Sequence, residues 1–278
     1  MIDFPIPMTK MSGTGNDFIV IDHRQPVIPQ DRQQDFVAKV CRRRFSVGAD
    51  GVILIEDSDQ ADFSWRFYNS DGSVAEMCGN GARCAARFAY RNGIAPRKMT
   101  FETLAGMIQA EIIGENEEVK LLMTDPFDFK LDFTLELEGR EQEFSFVNTG
   151  VPHVVCFVDL EEFPIKKWGR EIRFHEMFQP AGTNVNFVRK LDDGSLQVRT
   201  YERGVEDETM ACGTGAVAAA LIACIKDRVA SPVAIVTSGG DCLTILIDRL
   251  EEEAATGVYL QGPAHLIYSG ELTAESLL

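Results

Sequence analysis

Met77-Cys78-Gly79-Asn80-Gly81 is matched, between positions 78 and 212, by Ala211-Cys212-Gly213-Thr214-Gly215. Each copy is a cysteine, then Gly-X-Gly, then an alanine-rich run of the kind that favours a helix. The matching extends outward at nearly constant spacing. The same offset aligns Gly48 with Gly182, Thr103 with Thr237 and Gly106 with Gly240, and one residue more aligns Thr14-Gly15 with Thr149-Gly150. Pro126 corresponds to Pro263 after a short insertion near Glu251–Glu253. Helical patterns at 31–44 and 82–92 correspond to those at about 165–177 and 216–226. Landmarks in this order predict a duplication: two pseudo-symmetric α+β domains of ordinary size. Residues 1–125 form the first, completed by a last strand at 266–278, and 126–265 form the second.

Within the first repeat, residues 8–22 read as two strands around the turn Gly13-Thr14-Gly15-Asn16-Asp17. Asp31 is a candidate cap for a helix running to about Arg44, with Phe36, Val37, Val40 and Cys41 on one face. Val52–Ile55 is an apolar strand, and Phe63, Trp65 and Phe67 alternate with polar residues as in a half-buried strand. The helix after Cys78 stops at Gly93, with Pro96 beyond. Strands follow at 99–103, 107–113 and 118–124. The second cysteine helix, Ala216 to Ile225, is apolar nearly all round and should be buried. The first carries Arg83, Arg87 and Arg91 on one stripe and can bury the face with Ala82, Ala85, Ala86 and Ala89.

The 278-residue chain carries a formal charge of −16. That argues against nucleic acid or an anionic membrane as partner, since both call for a basic face. Met1 to Lys10 shows no basic-then-apolar signal pattern, and no apolar run approaches the roughly 18 residues of a membrane helix. A cytoplasmic location is the expectation. The seven cysteines fall at 41, 78, 84, 156, 212, 224 and 242, with no C-x-x-C pair, so neither a zinc site nor a redox dithiol is indicated. Cys41, Cys84, Cys156, Cys224 and Cys242 read as buried thiols, which pack as small hydrophobes.

Cys78 and Cys212 are different because each begins a helix. The first N–H groups of a helix lack intrahelical acceptors, and with the helix dipole they favour an anion. A thiolate there is stabilised, and a substrate carboxylate can use the same donors. The glycines Gly79, Gly81, Gly213 and Gly215 would let a ligand approach the backbone. An amino acid held by its carboxylate would place its α-carbon between the two sulfurs. One thiolate could take the α-proton from one face while the other thiol protonates the opposite face, inverting the centre. The intermediate is enolate-like, so the N–H donors matter most as charge builds on the carboxylate. No lysine stands in a motif suited to a pyridoxal Schiff base, which fits a cofactor-free reaction. A disulfide between these two cysteines would be an oxidised, inactive state.

Gly15-Asn16-Asp17-Phe18, Phe67-Tyr68-Asn69-Ser70-Asp71-Gly72, the two cysteine motifs, Pro152-His153, Asn184-Val185-Asn186-Phe187 and Glu202-Arg203-Gly204 together resemble the diaminopimelate epimerase family over essentially the whole chain. The resemblance implies two domains, each a sheet rolled around a central helix, closing over a small amino-acid substrate. It implies cofactor-independent epimerisation of LL- to meso-diaminopimelate, in lysine and peptidoglycan precursor synthesis. By the same resemblance Cys78 and Cys212 are the bases, and Gly79-Asn80 and Gly213-Thr214 hold the reacting carboxylate. Asn16, Asn69, Asn184 and Arg203 would read the distal end, Glu202 an ammonium group, and His153 would support the reacting centre. Arg203 suits a distal carboxylate because its guanidinium is a matching fork. A homodimer is consistent with the resemblance alone.

Two positions depart from the family pattern. Val151 stands where many members have Asn, and Gly51 where many have Gln. The acidic run Glu206-Asp207-Glu208 reads as a solvated loop, the other reading being a carboxylate cluster that raises the pKa of the neighbouring Cys212 thiol. Three other readings remain open at the level of residues. One is a racemase of the same fold, related to proline racemase and lacking the distal-end set. Another is a thiol hydrolase pairing one cysteine with His153. The third is a redox sensor without turnover.

Overall fold

The computed structural model describes residues 2–137, 139–159 and 162–278. The chain divides into two compact units: one runs to Leu121 and includes Gly262–Leu278, the other is Leu122–Gln261. In the first unit the strands are β1 (Ile6–Gly13), β2 (Asn16–Asp22), β3 (Gly51–Glu56) and β4 (Phe63–Asn69), with helix α1 (Gln33–Val40) between β2 and β3. Helix α2 (Gly79–Arg91) follows, then β5 (Lys98–Thr103), β6 (Gly106–Ile113) and β7 (Glu118–Leu122). The second unit has β8 (Phe127–Leu137), β9 (Arg140–Asn148), β10 (Pro152–Phe157), α3 (Ile165–Arg173), β11 (Asn184–Lys190), β12 (Leu196–Glu202) and a short β13 (Asp207–Thr209). It continues with α4 (Gly213–Ile225), β14 (Val233–Thr237), β15 (Cys242–Leu250) and β16 (Ala255–Gly262). The chain ends with β17 (His265–Leu272), which belongs to the first unit.

The two units share one topology. In the first, neighbouring strands run β17–β1–β2–β3–β4–β5–β6–β7, paired in turn antiparallel, antiparallel, parallel, antiparallel, parallel, antiparallel and antiparallel. In the second they run β8–β9–β10–β11–β12–β14–β15–β16 with the same succession of senses. The units differ in connectivity, since β8 precedes its partner β9 whereas β17, which takes the same place beside β1, comes from the end of the chain. They differ also in the short β13, which pairs with β12 where the first unit has a single bridge between Tyr68 and Val74. The repeat landmarks coincide as well. Helices α2 and α4 begin one residue after Cys78 and Cys212 and have the same length, 13 residues each. Gly48 and Gly182, Gly106 and Gly240, and Gly15 and Gly150 all have positive φ, a backbone region that favours glycine.

Each sheet curls round its cysteine helix. Helix α4 packs against β9, β10, β11, β12, β14 and β15, and residues Gly215 to Ala223 are all buried. That is why its sequence has no polar face. Strands β2 and β3 read as continuous apolar runs because both faces are covered, as parallel pairs usually are. Ile19, Ile21, Val52 and Leu54 meet Phe36, Val37 and Val40 of α1 on one side. On the other, Ile53 lies beside Gly81 of α2.

The first helix differs from expectation. Gln30–Arg32 is a 3-10 turn, so Asp31 lies inside it and caps nothing, and the α-helix ends at Val40 rather than Arg44. Its last carbonyls are taken instead by the returning chain, with Gly48 N–H donating to Val40 O and Ala49 N–H to Cys41 O. The arginine stripe of α2 also needs correction. Arg91 is exposed, but Arg83 is completely buried. Its guanidinium donates to Thr14 Oγ1 at 2.6 Å, Asn80 Oδ1 at 2.9 Å, Pro263 O at 3.2 Å and Gly79 O at 3.3 Å. Cys41, Cys84 and Cys156 are buried, but Cys242 is exposed and Cys224 only half-buried. Cys242 opens β15 on the outward side, and it is the next residue, Leu243, that enters the core.

Candidate active site

In the first unit Cys78 is the N-cap of α2, in extended backbone conformation, and its Sγ accepts from Gly81 N–H at 3.5 Å. Asn80, 5 % exposed, has both ends of its amide engaged. Its oxygen accepts from Thr14 and Arg83, and its nitrogen donates to Asn16 Oδ1 at 2.8 Å. Asn16 in turn donates to Asp50 Oδ2 at 2.9 Å. The loop carrying Asp50 is tied down by Arg43, which bridges Asp17 and Asp50. Lys10 pairs with Asp17 at 2.6 Å. Burial alone would push the Asp17 carboxyl up, but Arg43 and Lys10 hold it below its ordinary range. Asn69, the last residue of β4, is exposed and donates to Ser73 Oγ at 3.0 Å.

In the second unit Cys212 is the N-cap of α4, and its sulfur lies 3.5 Å from Thr214 Oγ1. His153, fully buried on β10, places Nε2 2.9 Å from the same Thr214 oxygen. Burial first, and then the positive charge of Arg203, push the imidazole pKa down to about 3, so the ring is neutral at physiological pH. Thr149 Oγ1 donates to Thr214 O at 3.1 Å, fixing the first turn from below. Asn184 is 4 % exposed and bridges two backbones, donating to Pro152 O at 3.1 Å and accepting from Arg203 N–H at 2.8 Å. Its amide therefore shapes the turn that presents Arg203, whose guanidinium donates to Ala181 O at 3.1 Å. Burial lifts the Glu202 carboxyl above its ordinary range. The acidic run is not a solvated loop: Asp207 and Glu208 lie on β13 against β12, and each of the three carboxylates is paired, Glu206 with Arg173 at 3.2 Å, Asp207 with Lys166 at 2.8 Å and Glu208 with Arg199 at 2.8 Å.

The thiols sort themselves. Burial pushes Cys41, Cys84 and Cys156 up to about 12, and raises Cys224 as well. Cys78 and Cys212 are partly exposed thiols at helix starts. The motif glycines do not all serve a ligand, as the sequence alone suggested. Only Gly79 faces open space, with nothing within 4 Å of a would-be Cβ. At Gly81 that Cβ would touch Ile53 and Trp65 at 3.4 Å, and at Gly213 it would press on Leu260 at 3.1 Å. At Gly215 it would strike Asn186 Oδ1 at 2.3 Å.

The departure at 51 has a local explanation, and nothing in the structure explains the one at 151. A Cβ on Gly51 would lie 2.5 Å from Tyr68 O and 2.7 Å from the Phe67 ring, so this backbone has no room for a side chain there. Val151 ends the turn that begins at Thr149, its carbonyl accepting Thr149 N–H at 3.1 Å. Sequence reasoning overlooked Thr14, Arg83, Thr149, Asn186 and Thr200, which orient the motif residues. Asn186 was within reach, because the period of two in a strand puts it on the same face as Asn184.

The fold recurs in solved structures of other proteins. Over 98 % of this chain and 100 % of the other, it superposes on a phenazine biosynthesis protein of the PhzF family from Bacillus anthracis, with TM-score 0.75 and 16 % identity. It also superposes on a probable proline racemase from Agrobacterium radiobacter, with TM-score 0.69 and 14 % identity over 97 % and 93 % of the two chains. At such identities the likeness concerns the fold. The sequence pattern of the diaminopimelate epimerase family matches residues 8–128 and 145–267. A diaminopimelate epimerase of Aquifex aeolicus is 49 % identical, over 96 % of this chain and 98 % of that protein. The chain belongs to the diaminopimelate epimerase family and is an isomerase. Among its described residues no helix is long and apolar enough to cross a membrane.

Proposed function

We propose that this protein interconverts LL- and meso-2,6-diaminopimelate without a cofactor, with Cys78 and Cys212 as the two proton-transfer groups. The observation that carries the reading is the identical placement of these thiols as N-caps of the two repeat helices. The other buried thiols are held protonated by burial. Chemically, one thiolate takes the α-proton and becomes a thiol, while the other thiol gives its proton to the opposite face and becomes a thiolate. The net change is inversion at one carbon, and a second proton exchange with solvent resets the pair. Charge that develops on the α-carboxylate falls on the first N–H groups of α2 and α4. These are the groups of Gly79, Asn80, Gly213 and Thr214, which helix geometry leaves without intrahelical acceptors. The Asn80 side chain is held by Asn16, Thr14 and Arg83, which fixes the first turn of α2 and so the aim of its backbone N–H groups. Arg203 suits the distal carboxylate, and Glu202, Asn16, Asn69 and Asn184 its ammonium and handedness.

The hydrolase alternative is less well supported. A Cys–His pair needs the imidazole within reach of sulfur, and the His153 Nε2 is instead bonded to Thr214. The test is incubation with LL-diaminopimelate in D2O, following the α-proton. Deuterium should enter as the meso isomer forms. Cys78→Ser or Cys212→Ser should slow turnover by at least about a hundredfold, since proton transfer by a placed group is worth that much. Activity surviving in the double Cys→Ala variant would sink the proposal.

A further inference from the structure

Asn186 and Thr200 face each other across β11 and β12, both buried, yet the proposed reaction gives neither a task. The Asn186 amide nitrogen lies 2.9 Å from Val154 O and 3.1 Å from His153 Nδ1. A backbone carbonyl can only accept, so the atom beside it must be the nitrogen. Thr200 Oγ1 donates to the amide oxygen at 2.9 Å, fixing the same orientation from the other end. Both nitrogen-bound protons are then used, one on Val154 O and one on His153 Nδ1. Nδ1 is therefore an acceptor, and the neutral ring carries its proton on Nε2. That N–H points at Thr214 Oγ1. A hydroxyl that accepts there has its own proton to give, and Cys212 Sγ is 3.5 Å away. The approach depends on a glycine: any side chain at 215 would collide with the Asn186 oxygen.

We propose that Asn186, anchored by Thr200, is a positioning residue for Cys212: it locks His153 in the Nε2–H tautomer, so that the Thr214 hydroxyl donates to the Cys212 sulfur and stabilises its thiolate. The inference rests on Cys212 being a reacting thiol, as proposed above. The charged groups nearest this network come from the end of β12: Arg203 acts on His153 electrostatically, and Glu202, two residues from Thr200, lies on the same face of the strand. The Arg199–Glu208 pair belongs to the opposite face, Glu208 standing across from Tyr201. Substitution of Asn186 or Thr200 leaves all of them in place.

The first measurement needs no variant. Nitrogen-15 chemical shifts of the histidine side chains, with His153 assigned by its loss in His153→Gln, should show Nε2 protonated and Nδ1 not. An Nδ1–H form in the wild-type protein overturns the proposal. The second is the pH dependence of iodoacetamide labelling at Cys212 and Cys78, read by peptide mass spectrometry. In Asn186→Ala, labelling of Cys212 at neutral pH should slow about tenfold, the scale of one hydrogen bond to a charged group. Its midpoint should rise, while that of Cys78 stays put. Thr200→Val should move Cys212 in the same direction, and Thr200→Ser should restore it. An unchanged Cys212 profile, or both cysteines shifting together as in a loosened fold, overturns the proposal. If Cys212 proves dispensable for turnover while the tautomer and labelling results hold, the catalytic reading fails and the positioning role stands.

Discussion

Gly81 and Gly215 hold equivalent places in the two motifs, yet they are glycine for different reasons. A methyl group at 81 would make ordinary contact with the ends of Ile53 and Trp65, whereas one at 215 would meet Asn186 Oδ1 at 2.3 Å. Gly81→Ala should thus leave the thermal midpoint unchanged or raised, since alanine suits a helix better by about 0.5–1 kcal/mol. Gly215→Ala should lower stability by about 2 kcal/mol or more, because Asn186 must give up buried hydrogen bonds. Equal thermal midpoints for the two variants would contradict this. His153 gives a pH prediction. Its pKa falls from 6.5 to about 3 on folding, so below pH 6.5 the unfolded chain binds a proton that the folded one does not. Stability is therefore lost as pH drops from 6.5 towards 3, by about 2 kcal/mol at pH 5 from this group alone. Urea midpoints of wild type and His153→Gln, compared at pH 7 and pH 5, should show the wild type losing more. In the sequence His153 was visible as a residue beside Pro152. Its neutrality was not, because burial among β10, β11 and α4 is a long-range property.

Helices α2 and α4 show how one repeat can carry two different solutions at the level of an element. Where α4 has Val217, α2 has Arg83, and both are buried. The alanine pattern of α4 made its burial legible, since nothing polar needed an outlet. The pattern of α2 misled, because spacing of Arg83, Arg87 and Arg91 looked like a solvated stripe. What it could not display were the acceptors: Thr14 from the β1–β2 turn, and the carbonyls of Pro263 and Ala264 from the far end of the chain. A buried guanidinium is stable only while its hydrogen-bonding groups are matched. Arg83→Met should therefore cost about 3 kcal/mol by denaturant titration, since Thr14, Asn80 and Pro263 would lose a buried donor. Arg83→Lys should recover little of it, a single ammonium being unable to span the same fork of acceptors. Recovery to within a few tenths of a kcal/mol by lysine would show that charge, not geometry, is what Arg83 supplies.

Over the whole molecule, the duplication was readable because its landmarks are local: turn glycines, motif cysteines and alanine-rich helices recur at one spacing. The order of strands was not, because pairing between distant segments leaves no local mark. The shared succession of strand senses implies an asymmetry in folding. The second unit is one continuous stretch, Leu122–Gln261. The buried members of two of its hydrophobic clusters, one around α4 and one around α3, lie entirely between Leu135 and Leu260. The first unit is discontinuous. Its strand β1 pairs with β17 from Ile6–Leu272 to Ser12–His265, and Leu272 and Leu277 complete the cluster under α1. The carboxy-terminal stretch also supplies Pro263 O and Ala264 O to Arg83 and Arg87, and Ser276 O to Ser46. A separate chain of residues 122–261 should therefore fold cooperatively. A chain of residues 1–121 should not, because it leaves one side of β1 as an open apolar edge and takes the Pro263 and Ala264 carbonyls away from buried Arg83 and half-buried Arg87. Joining 262–278 ahead of residue 2 through a short flexible linker should restore folding, since β17 would then precede β1 as β8 precedes β9. Circular dichroism with urea titration of the three chains decides the matter. A sharp unfolding transition in residues 1–121 alone, equal to that of the rejoined chain, would refute the claim that the last strand is integral to the first unit.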